Sequence, residues 1–106
     1  MINIVATECK PADERKFNDW YDNVHIPLLM KHPAIRSVAR YKVRGGSEGQ
    51  AKYLAIYEFA SPESFEAFGE SPEFAAARDE MRQTWGEGGF EIKWRAQFDV
   101  LGSWKR

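Results

Sequence analysis

His25 is the side chain with the widest chemical reach in this sequence, and its neighbours define what it can do. Phe17, Trp20, Tyr21, Val24, His25 and Leu28 recur at i, i+3, i+4, i+7, i+8 and i+11. That is the spacing of one side of an amphipathic helix. All are apolar or aromatic except the histidine, at the rim of the stripe. An imidazole with an ordinary pKa of about 6.5 both takes and gives a proton near neutrality. Asp22 lies three residues earlier on the adjoining flank, where a carboxylate would orient the ring and raise its pKa; the alternative is a solvated helix residue. Pro27 disfavours a helical conformation at Ile26 and lacks the N–H that a continuing helix uses. The helix is therefore expected to end or kink at about His25. A helix C-terminus carries partial negative charge, which favours protonated imidazole. The structural alternative is that His25 caps its own helix by bonding a free carbonyl.

Tyr41 and Tyr57 are candidate ligand contacts, since a buried phenol needs a hydrogen-bond partner. Tyr21 and Trp94 complete an expected aromatic lining; the alternative is core for Tyr21 and sheet or dimer packing for Trp94. Tyr53 is read as core, and Arg36, Arg40 and Arg44 as a solvated strand face. His25 and His32 are seven residues apart and Cys9 is the only cysteine, so no ligand spacing for a metal and no internal disulfide is present. No metal and no cofactor are expected.

The elements that position these residues follow from periodicity. Residues 2–8 read as a strand. Pro11, Asp13 and Glu14 suit the start of a helix, and residues 28–32 one further turn before Pro33. Residues 35–44 read as a second strand, with Ile35, Ser37, Ala39, Tyr41 and Val43 on the inward face. The cluster Gly45-Gly46-Ser47-Glu48-Gly49 is a turn. Residues 52–59 read as a third strand, apolar on both faces. Ser61-Pro62-Glu63 and Ser71-Pro72-Glu73 each read as a capped helix start, separated by a break at Gly69. Ile92, Trp94, Ala96, Phe98 and Val100 form the apolar row of a last strand. The order β-α-β-β-α-β predicts a ferredoxin-like plait, a four-stranded antiparallel sheet with its helices on one face, as a single domain over residues 1–106. Helices cover only one face. The other, expected to carry Tyr53, Tyr57 and Phe59, calls for a second copy packed sheet to sheet.

The chain has 15 basic and 16 acidic residues among 106, which gives no electrostatic footprint for nucleic acid. No apolar run reaches the length of a membrane span, and residues 1–7 lack the pattern of a signal peptide, so a cytoplasmic address is expected. The order of elements, with Trp20-Tyr21-Asp22 and Val24-His25-Ile26-Pro27 ending the first helix, resembles the dimeric α+β barrel superfamily, and within it the EthD-like branch. One isomerase of that fold is similar at Val24-His25 and at Tyr41 within Arg40-Tyr41-Lys42-Val43-Arg44; its strand-three cysteine falls at Tyr57. The resemblance implies a homodimer with a barrel pocket for a small cyclic, partly apolar metabolite. It also implies a cofactor-free isomerase, cyclase or lyase in which His25 moves the proton. The alternatives are a non-catalytic binding or dimerisation protein and a cofactor-free monooxygenase.

Overall fold

In the computed structural model, residues 1–46, 48–86 and 88–106 are described; Ser47, within the expected turn, lies outside them. The chain runs through β1 (Ile2–Cys9), a 3-10 turn (Pro11–Asp13), α1 (Glu14–Trp20), a π-helical turn (Tyr21–His25), α2 (Ile26–Leu29), β2 (Ile35–Lys42), β3 (Tyr53–Phe59), α3 (Pro62–Gly69), α4 (Pro72–Trp85) and β4 (Phe90–Phe98). The sheet has the order β2-β3-β1-β4, with every neighbouring pair antiparallel. This is the ferredoxin-like α+β fold. Both serine caps form. The amide of Ser64 donates to the Ser61 hydroxyl and that of Phe74 to the Ser71 hydroxyl, each at 3.1 Å. Gly86 ends α4 with φ of +62°, a conformation that costs glycine little.

The first helix does not stop at His25. Pro27 cannot donate to the carbonyl of Asn23, and its ring would press on that carbonyl. The helix widens instead, and the Ile26 amide reaches back five residues to the Tyr21 carbonyl. The extra residue in this turn rotates the face that follows. Val24 is therefore exposed, and Leu29 rather than Leu28 is fully buried.

Each edge strand carries a one-residue bulge. In β2, Ile35 faces Phe59 while Ser37 already faces Glu58, so Arg36 is extra. In β4, Trp94 faces Ala6 while Ile92 faces Thr7, so Lys93 is extra. A bulge inverts the alternation beyond it. The predicted inward row of β2 is thus corrected. Ile35 points to the helices, but Val38 and Arg40 follow it there, and Tyr41 lies on the opposite face. In β4, Ile92 and Arg95 join the helix face while Trp94, Ala96 and Phe98 join the other.

The two faces of β3 are also the reverse of the expectation. Tyr53, Ala55, Tyr57 and Phe59 are buried under the helices, and the open face carries Leu54 and Ile56. The open face remains strongly apolar, with Tyr41, Trp94 and Phe98 53%, 41% and 48% exposed.

Phe17 centres the covered layer. It is wholly buried and its ring lies 5.1–6.3 Å from those of Trp20, Tyr21, Tyr53, Trp85 and Phe90. Truncating it removes an edge from each of these pairs and leaves a cavity. Phe17→Ala is expected to destabilise the fold by about 3–5 kcal/mol, read from urea unfolding; a loss under about 1 kcal/mol would show the layer is not a packed unit.

Candidate functional site

A cavity of about 160 Å³ lies between the helices and the sheet. It is not on the open face, where a sheet-to-sheet barrel would enclose it. Tyr21, His25 and Leu29, spaced by four across the π-helical turn, line one wall. Asn3, Thr7, Tyr57 and Arg95 line the sheet side, with Ala77, Arg78 and Met81 of α4 opposite. The volume matches the roughly 150 Å³ known to hold one benzene ring.

Tyr21 and Tyr57 meet here. Their hydroxyls are 2.7 Å apart and both rings are buried. Burial pushes both phenols above their ordinary range, Tyr57 well above it with the added effect of the Tyr21 oxygen. Both stay neutral at physiological pH. The pair holds two hydroxyl protons and spends one on the mutual bond, which leaves one for a ligand oxygen.

His25 stacks on Trp20 with ring centroids 4.6 Å apart and meets the Tyr21 ring edge-on at 5.0 Å. Its Nδ1 is buried without a hydrogen-bond partner among the described residues. It does not cap its helix. Burial lowers its pKa to about 4, opposed only in part by the charge of Glu80. That carboxylate is held by the Trp20 indole N–H at 2.7 Å and by the Thr84 hydroxyl. The expected protonated imidazole is therefore corrected: the ring is desolvated, and the helix whose end was to favour its charge runs on to Leu29.

Of the remaining residues singled out from sequence, Tyr21 and Tyr57 join His25 and three do not. Asp22 accepts from Arg40 at 2.7 Å and is 57% exposed, so it does not orient the imidazole. Tyr41 and Trp94 lie on the open face. Arg40, read as a solvated strand residue, is instead mostly buried. Its guanidinium sits 4.5 Å from the Tyr21 ring centroid and donates to Asn18 at 2.8 Å. Sequence reasoning missed Asn3, Arg78 and Arg95. The bulge at Lys93 is what brings Arg95 round, and no residue type announces it. Among the described residues no group of three His, Cys, Asp or Glu side chains could hold a metal ion, and no helix is long and apolar enough to cross a membrane.

The depressed pKa has a measurable consequence. Above pH about 6.5 the imidazole is neutral in both folded and unfolded chains and does not affect stability. As pH falls from there to about 4, the unfolded chain takes up a proton that the folded chain refuses, so stability declines by up to ~3 kcal/mol. Below that window this group adds no further slope. In His25→Gln the loss between those pH values should shrink by that amount. An unchanged slope in the variant would show that His25 titrates normally.

Solved structures share this fold. An ethyl tert-butyl ether degradation (EthD) family protein from Bacillus halodurans C-125 superposes with TM-score 0.70 at 20% identity, over 93% of this chain and 99% of that one. A cofactor-independent oxygenase, SnoaB from Streptomyces nogalater, gives 0.62 at 13% identity, over 96% and 91%. A dimeric ferredoxin-like protein of unknown function from Thermobifida fusca YX gives 0.54 at 14% identity, over 90% and 83%. No curated protein matches by sequence. The family DUF4286, described as a domain of unknown function, matches residues 1–93, and the chain belongs to that family.

Proposed function

We propose that the protein binds a small cyclic, partly apolar molecule in the cavity between helices and sheet, and that His25 moves a proton on it without a cofactor. The observation that carries this reading is the His25 side chain on a cavity it shares with the hydroxyl pair of Tyr21 and Tyr57. A neutral imidazole beside a phenol donor suits removal of a proton next to a carbonyl. The base takes the proton and the O–H stabilises the enolate oxygen. Isomerisation, cyclisation and elimination all begin with that step. Tyr21 and Tyr57 are the proposed ligand contacts.

Incubation with cyclic ketones, lactones and phenols in deuterated water, followed by proton NMR, tests the reading. Exchange of an acidic C–H should occur with the parent and fall by about a hundredfold or more in His25→Ala. Exchange at the parent rate in that variant would remove His25 from the chemistry. The pKa of about 4 favours a second reading, a binding protein in which His25 only hydrogen-bonds the ligand. Saturable binding with no exchange would support it. The likeness to a cofactor-independent oxygenase makes oxygen uptake the third measurement.

The proposed assembly is a two-fold dimer through the open face. Tyr41, Trp94 and Phe98 there, with Leu54 and Ile56 between, form an apolar surface that a monomer would leave in water. Val100, Leu101 and Trp104, in the segment after β4, are exposed as well. Sedimentation equilibrium should return twice the chain mass. Trp94→Asp should shift it to one chain while circular dichroism stays native; a parent that sediments as a monomer would end this reading.

A further inference from the structure

The cavity is lined by two arginines, Arg78 from α4 and Arg95 from β4, and by no carboxylate. Among the described residues neither guanidinium makes an ion pair. Both arginines line the cavity and are exposed residues, so each borders the cavity and water at once. The Arg95 field reaches inward, since its charge acts on the Tyr21 phenol. Arg78 lies against the Phe74 ring at 5.8 Å, which restricts its guanidinium. The acidic group that acts on His25, Glu80, is already engaged by Trp20 and Thr84.

A lone exposed arginine is ordinarily a solvated one. Two of them, on opposite layers of one apolar cavity with no counter-charge in its lining, form a local positive potential over a greasy hole. That combination discriminates among the molecules that fit. We infer that the ligand is a cyclic carboxylic acid, its ring in the cavity and its carboxylate held at the opening by Arg95 and Arg78. Guanidinium and carboxylate match as planar, charge-assisted partners. Anchoring at the opening also fixes which ring edge meets His25 and the phenol pair, so the two arginines are specificity residues for the proposed reaction. The inference rests on the reading of this cavity as a small-molecule site.

The test uses benzoate and its neutral isostere benzamide on the full chain, with binding followed through the His25 imidazole resonances and by calorimetry. The benzoate should bind about tenfold or more tightly than the amide, and the gap should narrow with salt because the opening is exposed. Arg95→Gln and Arg78→Gln should each weaken the benzoate several-fold and leave the amide unchanged. Equal affinity of the parent for the two probes overturns the carboxylate inference alone, and so do arginine variants that bind benzoate as the parent does. If neither probe moves the His25 resonances at millimolar concentration, the small-molecule reading fails with it. A loss of both probes in an arginine variant with native circular dichroism would assign that arginine to packing and overturn its role in recognition.

Discussion

Pro27 sits inside a helix that cannot afford to end there, because Leu29 is needed in the core one turn later. A proline leaves one carbonyl without its amide and drives its ring against it. The chain answers with the wide turn over Tyr21–His25. That turn absorbs one extra residue, so the helical face beyond it is rotated by about 100° from where an unbroken α-helix would place it. Tyr21, His25 and Leu29 thereby fall in line on the cavity, and Val24 turns to water. In an unbroken helix the buried row would run through Val24 and Leu28. The site on helix one thus depends on a local backbone irregularity that a single residue type enforces.

What can be read from the chain alone is what local chemistry decides. The order of elements, the helix starts at Ser61 and Ser71 and the break after Gly69 all rest on capping and on the backbone demands of proline and glycine. The stripe from Phe17 to Tyr21 is likewise visible, because α1 is regular there. Facing on the two edge strands is not. Alternation is an argument of period two, and one added residue inverts everything beyond it. Arg36 and Lys93 are those residues, and nothing in their type distinguishes them from their neighbours. Strict alternation therefore puts Tyr41 and Trp94 with His25, whereas they lie on the other side of the sheet and Arg40 and Arg95 come round to the helices. On β3 both faces are apolar, so hydrophobicity does not choose between them. The aromatic set lies under the helices because Phe17 and Phe68 meet it there.

The protonation state of His25 was legible in its ingredients but not in their weights. A helix C-terminus would contribute about 0.3–1 kcal/mol toward the cation, but the helix runs on past His25 to Leu29. Lowering the pKa from the ordinary value of about 6.5 to about 4 corresponds to ~3 kcal/mol against it. Burial therefore wins by a wide margin. A second carboxylate beside Glu80 would have narrowed that margin further, and Asp22 is close enough along the helix to supply one. It is drawn away by Arg40, eighteen residues on in sequence and adjacent only in space. That competition is a property of the folded chain, since it requires β2 with its bulge to lie beside the π-helical turn.

The cavity keeps its charges apart from its chemistry. Its interior is neutral: two phenols held above their ordinary pKa range and an imidazole held below its own. A full charge there would lose several kcal/mol of hydration without a partner. The guanidinium groups stand at the opening instead, where water solvates them until an anion replaces it. For the proposed reaction, this division constrains the chemistry as well as the ligand. An imidazole of pKa about 4 is a weak base at neutral pH, so it removes a proton only from a site whose conjugate base is stabilised as it forms. The free O–H of the tyrosine pair is the group in the cavity able to do that for an oxyanion. Its effect is largest in surroundings of low dielectric. Base strength lost to burial is thus recovered in the strength of the donor that the same burial enhances, provided the ring is held with its oxygen toward the phenols. Holding it there is the task that falls to the opening, because the apolar walls alone fix no orientation.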